Sequence, residues 1–539
     1  MASVAGIGRA SLFLASGTIV SRVLGFLKVI VLARAIGLTS VADAFTAANQ
    51  LPNTVYVIVA GGVLTAVLVP QIVRSSLHAD GGAAYVNKLI TVALVILAAT
   101  TIIATILAPV LTEFVGAGFS ERTLSLAIAF AYWCIPQMFF YGLYTVLGEV
   151  LNARRSFGPF TWVPVLNNVV AIAGLLAFMA MFGTDPNGER AVTDITPLMI
   201  AVLAGSATLG VIAQSVVLFY FWRRIGLHYR PDFAWRGVGL GTAGKMASWT
   251  FGMLILTTIA GVVESRVASQ ASGGGDASTA VLSTAWLIFM LPHSVITVSV
   301  ATAYFTRMSE HASVGKIALV REDASSAIRG TSLLIVLAAA VIAVCAYPFA
   351  TIFVPESFDQ IRSVGNVIIA YIAGLVAFCV LFVIQRTFYA LGDTRTPFYF
   401  TLFQVILVVI GVLACSLLPN EWIAAGIALV VTISGIAQTI LAAYLLRARI
   451  GGMDGRRVAQ SLAKYAAAAV IPMGLGIALL NILGGTHDGG FAVSGVAPAM
   501  ISMLVIGLVM AVAYFAMLIL MRTDELGAVV EPLLARVRR

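Results

Sequence analysis

The sequence predicts an all-α integral membrane protein of about fourteen transmembrane helices, built as two pseudo-symmetric six-helix lobes and a final helix pair. Three observations predict it: composition, the lengths of the apolar runs, and the distribution of basic residues. Of 539 residues, 60% are hydrophobic and only 10% charged, with a mean hydropathy of +1.02, which places most of the chain in lipid. Its 49 glycines suit close helix packing in a membrane, where small residues let backbones approach. A net charge of +9 would serve nucleic acid only on a folded basic surface outside the membrane, and the spans leave none.

Crossing the hydrocarbon, about 30 Å thick, takes roughly 20 apolar residues in a helix. Runs of that length at 11–36, 44–73, 87–116, 124–153, 160–182 and 197–222 make a first lobe, residues 1–225. Six more at 243–270, 279–305, 331–354, 363–391, 397–418 and 423–447 make a second, residues 226–450. Runs at 463–484 and 497–521 form the final pair, within residues 451–539. Between 363–391 and 397–418 the chain turns from Gly392 to Pro397, because a residue before proline avoids the helical region.

With the amino terminus inside, cytoplasmic segments carry 24 lysines and arginines, and the opposite loops only Arg122, Arg190 and Arg362. This asymmetry puts both termini in the cytoplasm and requires an even number of spans. The first run is too long and too charged for a cleaved leader, and is expected to stay as the first span. Cys134, Cys345, Cys379 and Cys415 lie in apolar runs without metal-ligand spacing and read as small packing residues. A short basic turn before Pro-Phe follows the fourth run (Asn152 to Phe160) and the tenth (Tyr389 to Phe398), 238 residues apart. Six spans separate them, so the two units share one orientation, related by an axis along the membrane normal.

The first span carries Arg22, Lys28 and Arg34 inside apolar sequence. A cation at membrane depth disfavours insertion by about 2.5–3.5 kcal/mol and normally faces a bundle interior or a wet cavity. Three in one helix point to a cavity built for an anion. Positions six apart are rotated by about 240°, so the three cannot share one face of a straight helix. Gly25 allows a bend between the first two, and Arg34, near the outer end, is expected to snorkel.

In the seventh span, Glu264 and Arg266 point about 200° apart and do not pair with each other along the helix. Arg266 either faces the cavity, partnered across helices by Glu264 or Glu149, or belongs to a structural buried ion pair. Glu149 and Glu264 are the acids through which a proton or cation would couple. Pro52 and Asn53 either break the second helix, exposing backbone groups to the cavity, or only kink it. Asp43 either caps the second helix or forms an outer gate. Arg386 is expected to snorkel at the cytoplasmic end, and Asp393 with Arg395 to fix the turn into Pro397.

Gly239 to Gly244 fits a G-x-G-x-x-G string, but Met246 stands where a hydroxyl is required and no strand precedes it, so it reads as a lead into the seventh helix. His293 is a lone histidine in an apolar span and reads as a packed or hydrogen-bonded group. No nucleophile, base or metal constellation is present, so a transporter without a cofactor is expected rather than an enzyme.

Gly17-Thr18, Ser21-Arg22-Val23-Leu24-Gly25-Phe26, Asp43-Ala44-Phe45, Leu51-Pro52-Asn53, Gly62 and Val69-Pro70 together resemble the amino-terminal signature of the MurJ (MviN) lipid II flippases. Gln385 through Pro397 resembles that family's turn after the tenth helix, and Pro292 to Thr302 more loosely its eighth helix. The resemblance implies the multidrug/oligosaccharidyl-lipid/polysaccharide (MOP) exporter fold and a role in peptidoglycan biosynthesis. Its substrate would be lipid II, an undecaprenyl-pyrophosphate-linked disaccharide peptide. Alternating access would carry it from the cytoplasmic to the outer leaflet of a bacterial cytoplasmic (inner) membrane. In that family the last two helices form a groove for the lipid tail.

It also implies the site. Arg22 and Lys28 match basic positions of the family's cavity, and a pyrophosphate entering low dielectric needs cations, arginine gripping bidentately and lysine as a point charge. Arg266 and Asn53 complete the expected substrate contacts. Asp43, Glu149, Glu264 and Gly25 are assigned to gating or ion coupling, and Ser21, Pro52, Arg386, Asp393 and Pro397 to the structural motif. Tyr56 stands where the family carries an arginine, Gly61-Gly62 where Glu-Gly is usual, and Leu287 where a basic residue is usual, so the cavity is less cationic and Arg266 is the candidate replacement. The driving force would be the membrane potential or a monovalent ion rather than ATP. Besides membrane lipids, cell-wall synthesis or division proteins are the expected partners. The alternatives are an exporter of another polyprenyl-linked glycan or of drugs, or a scaffold recruiting cell-wall synthases. Cationic drugs are disfavoured because cations within the spans outnumber acids.

Overall fold

The computed structural model describes residues 4–56, 83–116, 118–154, 156–226, 229–233, 240–271, 279–354, 357–523 and 525. Every regular element among them is helical. In chain order they are α1 (Val4–Ile36), α2 (Ser40–Tyr56), α3 (Ala83–Ile106), α4 (Ala108–Val115), α5 (Glu121–Cys134), α6 (Gln137–Ala153), α7 (Phe157–Phe182), α8 (Pro197–Arg224) and α9 (Leu240–Ala268). Then come α10 (Thr279–Pro292), α11 (Val298–Ser313), α12 (Ile317–Val344), α13 (Ala346–Phe353), α14 (Phe358–Ile372), α15 (Leu375–Ala390), α16 (Arg395–Cys415), α17 (Asn420–Arg449), α18 (Gly455–Ile482) and α19 (Val496–Leu520).

Ten helical stretches among the described residues are long and apolar enough to cross a membrane, or twelve if each of two bent pairs counts as one span. The bent pairs are α3 with α4, at 71°, and α14 with α15, at 41°. In the places of the first two expected spans lie α1 and α2, the second expected span continuing into residues 57–82, outside the described set. The count of fourteen is therefore not reached on the described residues alone. The ninth expected run, 331–354, is preceded by helix from Ile317. Its charged opening turns hold together because the buried Asp323 accepts from Arg307 at 2.7 Å and pairs with His311 at 2.9 Å.

Contacts divide the chain into two compact units, Met1–Ala280 and Val281–Arg539. In the first, α7 packs on α1 and α8, while α6 packs on α3 and α8. The core between α3, α6 and α8 is built on Ile90, Leu97, Leu147, Val150 and Trp222, the indole N–H donating to the Leu147 carbonyl at 3.1 Å. Gly142 is required where α6 crosses α3, since a Cβ there would sit 2.3 Å from Leu97 Cδ2. In the second unit, α12 packs on α15 and α18, α16 on α17, and α18 on α19. Leu333, Tyr465, Ile506, Met510 and Tyr514 form the core there, with the Tyr514 hydroxyl donating to the Leu333 carbonyl at 2.9 Å.

The two units repeat one another in detail. The short helix α4 opens at Ala108 and α13 at Ala346, an offset of 238 residues, the same as between the two Pro-Phe sites. The helices before them end at Ile106 and Val344, again 238 apart. After them, α5 and α6 are matched by α14 and α15, each pair broken by a two-residue interruption. Pro109 in the first turn of α4 suits a helix start, where a missing N–H costs nothing.

Candidate functional site

Helix α1 runs unbroken through Gly25. A Cβ at Gly25 would lie 3.7 Å from Asn168 Nδ2, an ordinary contact, so the approach of α7 leaves room for a side chain there. Asn168 also donates to the Ser21 carbonyl at 2.8 Å, fixing α1 against α7. Arg22 is half-buried; its Nε is buried and has no hydrogen-bond partner among the described residues. At the C-terminal end of α1, the Arg34 carbonyl accepts from the Asp185 N–H at 3.0 Å. Beyond it Gly37 turns the chain at φ +68°, where a Cβ would stand 2.6 Å from the Gly188 nitrogen.

Lys28 lines a cavity of about 60 Å³ with Asn49, Gln137, Tyr141, Asn167 and Ser206. That is room for a few waters or one small ion. Gln137, buried at the start of α6, organises it: its amide donates to Asn49 Oδ1 at 3.1 Å and Thr208 Oγ1 at 3.0 Å, and its carbonyl oxygen accepts from the Tyr141 hydroxyl at 3.1 Å. Thr208 in turn donates to the Trp133 carbonyl at 2.7 Å. Tyr56, in the position where an arginine was expected, donates to Thr145 Oγ1 at 2.8 Å, and its ring packs 6.3 Å from that of Tyr141. Sequence reasoning missed Gln137, Tyr141 and Thr208; the available signal was an amide placed directly after Pro136 in an apolar run.

The opposite side of α2 lines a second pocket, of about 270 Å³, with Gln50, Asn53 and Thr54 facing Thr257, Thr258 and Ser265 of α9. Helix α2 continues through the buried Pro52 to Tyr56. Lys28 and Asn53 therefore line different pockets of the first unit. Asp43 is fully buried in the first turn of α2, and its Oδ1 accepts from the Ala280 N–H at 2.9 Å. Through that bond it caps the start of α10.

Arg266, exposed in the last turn of α9, lies 6.0 Å from the Phe114 ring centre and has no carboxylate within ion-pair distance among the described residues. Glu264 and Glu149 are half-buried on α9 and α6. In the second unit Arg386 sits over the rings of Phe382, at 4.9 Å, and Phe305, at 5.6 Å. Asp393 Oδ1 accepts from the N–H groups of Arg395 and Thr396 at 3.0 and 2.9 Å, setting the start of α16, in which Pro397 is buried. His293 opens a π-helical turn, His293–Thr297, with its ring 3.5 Å from Cys379 Sγ and edge-on to Phe378 and Phe382. Among the described residues no group of three or more His, Cys, Asp or Glu side chains could hold a metal.

Residues 32–494 match the family model described as Lipid II flippase MurJ. Among relatives, a probable lipid II flippase MurJ of Rickettsia prowazekii is 25% identical over 419 residues, covering 74% of this chain and 76% of that one. One of Haemophilus influenzae is 26% identical over 411 residues, covering 70% and 75%. A solved structure of lipid II flippase MurJ in an inward closed conformation superposes with a TM-score of 0.74 at 18% identity, over 95% of this chain and 99% of that one. An inward-facing multidrug resistance MATE family transporter of the MOP superfamily superposes with a TM-score of 0.61 at 16% identity, over 81% and 96%.

Proposed function

Because the chain belongs to the lipid II flippase MurJ family, a family of membrane transporters, we propose that it carries lipid II from the cytoplasmic to the outer leaflet of a bacterial cytoplasmic membrane. The observation that carries this reading is Arg22: a guanidinium within an apolar helix, its Nε buried without a partner among the described residues. An uncompensated cation at that depth is costly. A lipid pyrophosphate offsets the cost by accepting from the guanidinium with two oxygens. Lys28 and Arg266 supply further positive charge as the lobes, residues 1–225 and 226–450, alternate between inward and outward access. Residues 451–539 guide the lipid tail. Membrane potential or a monovalent ion drives the cycle, with Glu149 and Glu264 the acids placed to couple it. Both termini lie in the cytoplasm, where cell-wall synthesis proteins would dock.

Depleting the native flippase and rescuing with this chain tests the reading, with lipid II accessibility at the outer leaflet as readout. The parent restores it. Arg22→Ala, at equal membrane level, lowers it by roughly thirtyfold or more, the loss from removing one partner of a buried charge contact, about 2–5 kcal/mol. A well-expressed parent that does not rescue rejects lipid II as the substrate.

A further inference from the structure

The pocket beside Asn53 offers a chemistry that Arg22 and Lys28 do not. At about 270 Å³ it is near the small end of small-molecule sites, which run about 300–1,000 Å³. Among the described residues no charged side chain lines it; its polar wall there consists of amides and hydroxyls from α2 and α9. Two hydroxyls are committed to their own helices, Thr54 donating to the Gln50 carbonyl at 3.1 Å and Thr257 to the Met253 and Leu254 carbonyls at 3.1 Å. Asn53, Thr258 and Ser265 have no hydrogen-bond partner among the described residues and present both donors and acceptors to the pocket. Leu51, Val115 and Val262 make the remaining wall aliphatic.

Four parts of a lipid-linked precursor compete for such a space. A pyrophosphate would lose its hydration and meet no cation among the described lining residues, and the carboxylates of a stem peptide would fare the same. A polyprenyl tail would cover an amide and two hydroxyls without satisfying them. A pyranose ring carrying hydroxyls and an N-acetyl group meets both conditions, its polar edge turned to Asn53, Thr258 and Ser265 and its aliphatic face to the valines. Resting on the flippase reading, we infer that this pocket is a subsite for one uncharged N-acetylated sugar ring of the headgroup. The subsite distinguishes a glycan-bearing polyprenyl pyrophosphate from a bare one, a distinction the basic residues cannot make.

Binding of two probes, lipid II and undecaprenyl pyrophosphate, to the full chain in lipid nanodiscs tests this. The parent binds both, lipid II more tightly. Thr258→Val combined with Ser265→Ala binds undecaprenyl pyrophosphate as the parent does and lipid II about tenfold more weakly, the effect of two lost hydrogen bonds. Ser265→Thr, which keeps a hydroxyl, retains the preference. Where the double variant does not accumulate, the nearly isosteric Thr258→Val alone carries the test, with a severalfold loss for lipid II only. A variant that weakens both probes equally, or keeps the parent's preference, overturns the sugar subsite and leaves lipid II transport standing. A parent that binds neither probe overturns both.

Discussion

Gln137 shows how one uncharged residue can matter as much to a membrane protein's interior as its cations do. Its side chain joins α2, α6 and α8 through Asn49, Tyr141 and Thr208, with partners 88 and 71 residues away along the chain. Gln137→Leu leaves those groups without their partner and is expected to lower stability by about 1–3 kcal/mol, read as a drop in thermal unfolding temperature of the purified protein. Arg22 and Lys28 were legible in the sequence because a cation in an apolar run stands out whatever surrounds it. Gln137 was not, since an amide gains its meaning from partners brought close only by folding. Asp43 was half legible: its capping role could be read from composition and position, but the helix it caps starts 236 residues later, at Thr279.

Among elements, the crossing of α7 with α8 recurs as that of α16 with α17. A Cβ at Gly174 would stand 2.1 Å from Ser206 Cβ, and one at Gly411 would stand 2.5 Å from Val430 Cγ1. Both crossings use a missing side chain to bring backbones together, the usual means of helix association where lipid removes the hydrophobic drive. Gly174→Val and Gly411→Val are each expected to destabilise by about 1–3 kcal/mol through overpacking. Gly435→Ala, in open space on α17, is expected to gain about 0.5–1 kcal/mol of helix propensity; thermal unfolding of the three variants distinguishes these outcomes. The repeat was visible in the Pro-Phe turns, yet the breaks at Leu107 and Cys345 were not, because apolar residues on both sides of a bend leave hydropathy unchanged. The early start of α12 was hidden for the opposite reason, its buried Asp323 being paired with Arg307 and His311 of α11.

At the scale of the molecule, the second unit is closed by its last described residue. Glu525 pairs with Arg329 of α12, both mostly buried, and Arg329 Nε donates to Ser325 at 3.3 Å. Burial alone would raise the Glu525 carboxyl, but its own backbone N–H and the Arg329 guanidinium outweigh it and hold the carboxyl below the usual glutamate range. A depressed folded-state pKa adds stability that is present above the unfolded value and is lost as pH falls through the folded one. Glu525→Gln is therefore expected to cost about 3–5 kcal/mol at pH 7, and parent and variant should converge in unfolding temperature as pH falls below about 4. The bond from Tyr514 to Leu333 spans 181 residues, which gives this closure a meaning in time. At roughly 5–20 residues per second a ribosome needs about 10–40 s to make that stretch. Throughout that interval the side of α12 that meets α19 stays open, although α15 and α18 arrive earlier, whereas the core of α3, α6 and α8 is already complete. Lipid or insertion machinery covers that side of α12 until α19 is made, and a stop codon ahead of α19 would strand a half-built unit for proteolysis.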